Sequence, residues 1–110
     1  MNTANTPSAP VERSFVATRS GRIHIASAGS GFPVLLLHQT PRSWDEYREV
    51  LPLLGRSYRA IAMDTLGFGD SQALPPGENS IERWAAGALD LLDALGIQRW
   101  TTLKPMPTKA

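Results

Sequence analysis

Few side chains in this chain are equipped for chemistry. His24 and His38 are its two histidines, the residues able to exchange a proton near neutral pH. There is no cysteine, which removes thiolate nucleophiles, disulfides and Cys-based metal sites together. A serine at the centre of G-x-S-x-G is a common activated hydroxyl, and Gly69-Asp70-Ser71-Gln72-Ala73 is a near match. That chemistry needs a sharp strand-to-helix turn, whereas this pentapeptide follows a strand at a distance and runs into Leu74-Pro75-Pro76-Gly77. Ser71 is therefore not expected to be a nucleophile. Gly67-Phe68-Gly69 invites a phosphate cradle, but the third glycine of G-x-G-x-x-G is missing and no helix opens after it, so a dinucleotide site is the weakest reading. Asp64, just ahead of the glycines, is expected to accept N–H groups of its own turn, as Asp does in Asx-turns. His24 falls in mid-strand, where a surface or hairpin role is expected.

The elements that would position these groups follow from periodicity. Arg13 to Arg19 and Arg22 to Ala28 suit strands, and Ser20-Gly21 between them signals the turn of a β-hairpin. Gly29-Ser30-Gly31 and Pro33 break the pattern, and Val34-Leu35-Leu36-Leu37 is a continuous apolar run of the kind buried on both faces of a parallel sheet. Ser43 and Glu46 have capping-box spacing, which predicts one helix carrying Trp44, Tyr47, Val50, Leu51 and Leu54 on one face and fraying at Pro52 and Gly55. Tyr58 to Met63 is a strand, and a long loop follows Asp64. A second helix is predicted from Ser80 as N-cap to Gly96 as stop, with Ile81, Trp84, Ala85, Ala88, Leu89, Leu92 and Leu95 in one stripe. Arg99 to Leu103 closes the series as a short strand. The order β-β-β-α-β-α-β argues an α/β fold: an N-terminal antiparallel hairpin leading into a mostly parallel sheet with flanking helices.

Composition bounds the rest. The chain has 110 residues, 42% hydrophobic and 19% charged, with a net charge of +1. Such values fit a globular domain and give no electrostatic reason for nucleic acid or a membrane as partner. Residues 1–12 are polar, proline-bearing and aperiodic, and are expected to be a disordered leader. They lack the apolar run of a signal peptide, so a cytoplasmic location is the default expectation. Residues 13–103 form the predicted domain. All nine arginines precede residue 100, both lysines follow it, and Pro105 and Pro107 make 104–110 an atypical tail.

Taken together, Leu35-Leu36-Leu37-His38-Gln39-Thr40-Pro41, Ser43-Trp44 and Asp64-Thr65-Leu66-Gly67-Phe68-Gly69-Asp70-Ser71 resemble the α/β-hydrolase superfamily. The resemblance is strongest to its epoxide hydrolase and haloalkane or haloacetate dehalogenase branch, with His-Gly-x-Pro after the third strand and Asp-x-x-Gly-x-Gly-x-Ser after the fourth. It covers the chain from about Arg13 to Leu103 and implies a partial α/β-hydrolase fold. It also implies that the backbone N–H of Thr40 is an oxyanion-hole donor, where a fixed dipole supplies ~2.7–4 kcal/mol. His38, Gln39, Pro41, Asp64, Gly67 and Gly69 are then loop-bracing residues, His38 having no nucleophile near it in sequence to serve. Gln39 departs from the family, which has glycine there, and narrows the backbone choices of the loop. Trp44 and Trp84 fall on apolar stripes and are expected in the core, with Trp44 also a possible pocket-lining residue because the loop borders the substrate pocket.

The family places Ser or Asp in G-x-[SD]-x-G after its fifth strand; here Lys104-Pro105-Met106-Pro107 follows Leu103. The resemblance thus implies a truncated hydrolase (family reactions: hydrolysis of ester, epoxide or carbon–halogen bonds) that is inactive alone and lacks the nucleophile, the catalytic acid and the catalytic His. No cofactor or metal is implied, and the partner is a small-molecule substrate of the complete enzyme. Two other classes remain: a non-catalytic interaction module pairing through an exposed sheet edge, and, more weakly, a small nucleotide-binding α/β domain. Arg99 to Leu103 is expected at that edge, with the strands at Val34–Leu37 and Ile61–Met63 partly bare on one face, so self-association is expected.

Overall fold

The computed structural model describes residues 8–40 and 42–104. Pro41, residues 1–7 of the leader and residues 105–110 of the tail lie outside them. In chain order the elements are β1 Glu12–Thr18, β2 Gly21–Ala28, β3 Pro33–Leu37, a 3-10 helical turn Trp44–Tyr47, α1 Leu51–Leu54, β4 Arg59–Met63, α2 Ile81–Ala94 and β5 Thr101–Leu103. The strands form one sheet in the order β1-β2-β4-β3-β5. β1 and β4 flank β2 antiparallel, and β4 and β5 flank β3 parallel. The hairpin and the parallel part are those predicted, and β5 lies at the sheet edge. Among the described residues no helix is long and apolar enough to cross a membrane.

Strand alternation divides the core into two layers, because successive side chains point to opposite faces. On one face Ile23, Ile25, Leu35, Ile61 and Met63 meet Leu91 and Leu92 of α2, together with Leu66 and Ile97. On the other, Ala26, Ala28, Ala60 and Ala62 present a shallow surface on which Trp44, Tyr47 and Leu51 lie beside Val34 and Leu36. A buried Ile, Leu or Phe contributes about 1.5–3 kcal/mol over its exposed state. The expectation of partly bare strands is corrected here: Leu35, Ile61 and Met63 are buried under α2 and Leu66, Val34, Leu36 and Ala62 under Trp44, Tyr47 and Leu51, and only Leu37 is partly open.

Three further expectations change. The predicted single helix after Ser43 is broken. Ser43 stands at the N-cap of the 3-10 turn, but its hydroxyl donates to Asp45 Oδ1 at 2.8 Å and caps nothing. Glu46 Oε1 accepts instead from the Gln39 N–H at 2.7 Å. Pro52 is the cause of the break, since a proline has no N–H for a continuing helix and suits a first turn, where α1 places it. Next, the part of the leader that is described is docked: the Ala9 N–H donates to Pro52 O at 3.1 Å, and Ala9 and Val11 pack on the alanine face. Last, the stripe of α2 is rotated. Its cap is as predicted, Ser80 Oγ accepting from the Arg83 N–H at 3.1 Å and Gly96 taking φ +72° beyond the end. The buried residues, however, are Gly87, Leu91 and Leu92, while Ile81 is 74% and Leu89 57% exposed. At Gly87 an added Cβ would stand 3.0 Å from Leu66 Cδ1, so helix and core approach closely there.

Tyr47 ties the 3-10 turn to the sheet. Its hydroxyl donates to Leu37 O at 2.6 Å, at the strand end from which the next loop departs. Burial, reinforced by the nearby Glu46 charge, raises its pKa from 10.0 to about 12. Below pH 10 the phenol is neutral both folded and unfolded; between about 10 and 12 the unfolded chain releases the proton first. Stability that Tyr47 contributes is therefore expected to be complete below pH 10 and lost as pH rises toward 12. Urea unfolding at stepped alkaline pH should show this slope in the native chain and a shallower one in Tyr47→Phe. The variant should also lose about 0.5–1.5 kcal/mol at neutral pH from the missing hydrogen bond.

Candidate active site

The loops leaving the C-terminal ends of β3 and β4 lie side by side because those strands are parallel neighbours, in register from Pro33↔Arg59 to Leu37↔Met63. His38 spans the two. Its Nε2 accepts from the Thr65 N–H at 3.0 Å, which leaves the ring proton on Nδ1 to donate to Gln39 O at 2.8 Å. Both nitrogens are thereby engaged, one in each loop. Gln39 contributes its backbone to the same frame, its N–H going to Glu46 and its carbonyl accepting from the Arg42 N–H at 2.6 Å. No non-glycine residue among those described has positive φ, so Gln39 fits without a left-handed backbone where the family motif has glycine. Beside it the Asp45 carboxyl lies below the usual Asp value, chiefly through the Ser43 hydrogen bond, against the cost of burial and with help from Arg42.

Asp64 directly follows β4 and has no solvent exposure. Oδ1 accepts from the Trp44 N–H at 2.7 Å, and Oδ2 accepts from the Asp70 N–H at 2.9 Å and from His24 Nδ1 at 3.0 Å. The expectation that Asp64 serves its own turn is met at Asp70 and is too narrow, because it also holds the β3 loop and β2. Gly69, at φ +53°, presses its backbone on this carboxylate, and an added Cβ would overlap it. Gly67, at φ +91°, returns its N–H to Gln72 O at 2.9 Å. The glycines thus wrap the loop around Asp64. Ser71 is buried, its hydroxyl donating to Asp64 O at 2.6 Å and accepting from the His24 N–H at 2.8 Å, an arrangement that offers no free nucleophile.

The surface role expected for His24 is corrected: the ring is 2% exposed. Arg13 Nε donates to His24 Nε2 at 3.1 Å, which puts the ring proton on Nδ1, toward Asp64, while Arg13 Nη2 pairs with Asp70 at 2.7 Å. The signal for this burial is parity: His24 shares the β2 face of Ala26 and Ala28, the alanine side of the core. The ligand atoms of His24, Asp64 and Asp70 lie within 4.8 Å of one another, the spacing of a metal cluster. The Arg13 guanidinium already stands on two of the three residues and supplies the positive charge that a metal would bring.

Beside the loops is a cavity of about 230 Å3, walled by Leu37, Met63, Ala85 and Ala88 and bordered by His38, Thr40 and Thr65. Trp84, expected in the core, is on this wall, with Phe68 edge-on between it and His38 at centroid distances of 5.5 and 5.9 Å. Trp44 is in the core as expected, on the other side of the sheet beneath the Arg48 guanidinium, and the possible pocket-lining place given to it is not on this cavity wall. Among the described residues no acceptor takes the Thr40 N–H, and no Ser, Asp, Glu or Lys lines the cavity. Among the described residues the cavity therefore has an apolar wall with His38, Thr40 and Thr65 as its polar members.

A family model described as the alpha/beta hydrolase fold matches residues 33–103. Epoxide hydrolase 1 of Siraitia grosvenorii is 42% identical over 91 residues, which are 81% of this chain and 29% of that protein. Haloalkane dehalogenase 2 of Mycobacterium tuberculosis is 32% identical over 94 residues, 86% of this chain and 33% of that one. A crystal structure of an epoxide hydrolase from Vigna radiata matches with a TM-score of 0.80 at 30% identity, covering 86% of this chain and 32% of the other. The chain thus spans about a third of the length of these relatives. With the sheet order, the two loops and these matches in agreement, the chain belongs to the α/β-hydrolase fold family, and epoxide hydrolases and haloalkane dehalogenases are among the relatives it resembles.

Proposed function

We propose that this chain is the oxyanion-side segment of an epoxide-opening hydrolase, with Thr40 as backbone donor. The observation that carries the reading is the Thr40 N–H, without an acceptor among the described residues, at the edge of an apolar cavity and on a loop pinned at both ends. A donor held in this way meets a developing oxyanion without reorganising, the condition under which such groups accelerate acyl chemistry. His38, Gln39, Asp64, Gly67 and Gly69 are the bracing residues of this proposal. Epoxide opening is favoured over carbon–halogen cleavage because the relatives named epoxide hydrolase reach 42% and 49% identity, against 32% for the dehalogenase. An apolar wall suits the hydrocarbon part of either substrate.

By itself the 110-residue chain is proposed to be inactive, since its sequence holds no G-x-[SD]-x-G and its near match spends Ser71 on backbone hydrogen bonds. The nucleotide-binding alternative finds no support in the glycine loop, which is closed on Asp64. An exposed β5 does favour the interaction reading as a second one: the strand pairs with β3 on one side, and its three residues are all exposed. Self-association is proposed on the same ground, aided by the exposed Ile81 and Leu89 of α2 and Leu103 of β5.

Purified chain should leave p-nitrophenyl acetate and styrene oxide unhydrolysed above a denatured control; turnover abolished by Ser71→Ala would overturn the inactive reading. Placed in the matching first third of the Siraitia epoxide hydrolase, the chain should support epoxide opening, and Thr40→Pro should then lower kcat by roughly 100-fold with little change in KM. An unchanged kcat in a folded variant would move the oxyanion hole elsewhere, and cleavage of haloalkanes alone would make the dehalogenase reading the correct one. Size-exclusion chromatography with light scattering should show concentration-dependent oligomers of the 12.0 kDa chain. A monomer at every concentration would remove the interaction reading.

A further inference from the structure

The loop that carries Thr40 is moored ahead of that residue by His38, held by the backbone of both loops, and by the Gln39 N–H on Glu46; beyond it the mooring is the Trp44 N–H on Asp64 Oδ1. Where Oδ1 points depends on what holds Oδ2, because a carboxylate turns as a plane about one bond. Oδ2 has a backbone donor in its own loop, Asp70, and one side-chain donor, His24 Nδ1, which comes from the far side of β4. Both His24 and Asp64 are out of reach of solvent, so water cannot take the place of the missing donor. Behind the ring Arg13 is engaged three ways: Nε on His24 Nε2, Nη2 on Asp70 Oδ2, and its guanidinium carbon 5.3 Å from the centre of the Trp44 ring. The ring is thereby fixed in tautomer and in tilt, and Phe15 packs on it at 5.2 Å between centroids.

We propose that His24, backed by Arg13, is the positioning residue of the oxyanion-side loop: its Nδ1–H sets the Asp64 carboxylate so that Oδ1 anchors the Trp44 N–H, where that loop passes into the 3-10 turn. Its importance for catalysis rests on the role proposed above for Thr40. The hydrogen bond is what matters, beyond the volume of the ring. An asparagine can present an N–H at the place of Nδ1, whereas leucine fills similar space and donates nothing. A buried carboxylate that loses a donor is left undersatisfied, and the Trp44 anchor should loosen before the strands do.

Amide hydrogen exchange, read by NMR on the 15N-labelled 110-residue chain, tests this at the Trp44 N–H with Leu36 and Ile61 N–H as internal references for the core. In His24→Leu the Trp44 N–H should exchange roughly tenfold faster or more relative to the references, and in His24→Asn it should return close to the native rate. Unchanged Trp44 exchange in a folded His24→Leu chain would overturn the proposal, as would equal acceleration of all three amides in both variants, the pattern of a packing role alone. Should His24→Leu not fold, Arg13→Met leaves the core intact and frees the ring at Nε2; faster Trp44 exchange with altered His24 ring nitrogen shifts supports the proposal, and native behaviour at both overturns it. Because the readout is taken at Trp44, its failure is separate from failure of the oxyanion reading, which the Thr40→Pro comparison decides.

Discussion

A carboxylate shut away from water must be surrounded by donors, and Asp64 recruits them from three stretches of chain that are far apart in sequence: β2, the loop after β3 and the loop after β4. Leaving such a charge unpaired costs several kcal/mol, more than most single contacts in a domain of this size can offset. The geometry of both loops follows from that requirement. Gly69 has no side chain because the carboxylate occupies the space, Ser71 turns inward to close the backbone behind it, and Trp44 enters its 3-10 turn N–H first. The sheet brings the three stretches together, since β4 lies between β2 and β3 and Asp64 follows directly on its last residue, Met63.

The two faces of the sheet are built differently, and the difference serves the loops. Alanines on the Trp44 side let a 3-10 turn and a single-turn helix sit close to the strands, which brings the Trp44 and Glu46 ends of that segment within reach of Asp64 and Gln39. Bulky Ile, Leu and Met on the other side hold the longer α2 farther off, with Gly87 allowing one close point against Leu66. The cavity lies on this second side, between α2 and the strand ends, where Leu37 and Met63 are the last inward residues of their strands. A thick layer on one face and a thin one on the other thus places the apolar wall and the braced loop next to each other.

What could be read from the sequence was local. Strand limits came within two residues because alternation and turn residues act over a few positions, and Ser80 capped α2 because its partner, the Arg83 N–H, is three residues away. The capping box at Ser43 and Glu46 had the same local form, yet Glu46 is drawn to an N–H seven residues back and Pro52 forbids the continuous helix that the box would open. His24 looked like an ordinary polar residue in a hairpin because its partner Asp64 is 40 residues away and no periodicity links them. Of the two tryptophans expected in the core, Trp44 is there and Trp84 is on the cavity wall, for a related reason. Helical phase assigned each to an apolar face, but which face meets the sheet is decided by tertiary packing, and the stripe of α2 is wider than the surface the strands offer. His38, Asp64 and the glycines were singled out through the family resemblance, and the hydrogen bonds they make between the two loops join residues that no local pattern links.

Gln39 shows how the loop holds its shape without the conformational freedom that glycine gives the family motif. Glycine at that position allows a backbone to reach an unusual conformation, and the cost is entropy lost on folding. Here the backbone stays in ordinary regions, and the N–H that a mobile loop would leave to solvent is taken by the Glu46 carboxylate, while the carbonyl is shared by His38 and Arg42. Charge-assisted hydrogen bonds of this kind are stronger and more directional than neutral ones. The loop is therefore held by acceptors and donors on elements around it: His38 and Glu46 at its start and Asp64 at its end. In the role proposed for it, the Thr40 N–H follows directly on Gln39, whose own N–H and carbonyl are both engaged, so the backbone leading into it is held by the elements around the loop, the kind of preorganisation that electrostatic catalysis requires.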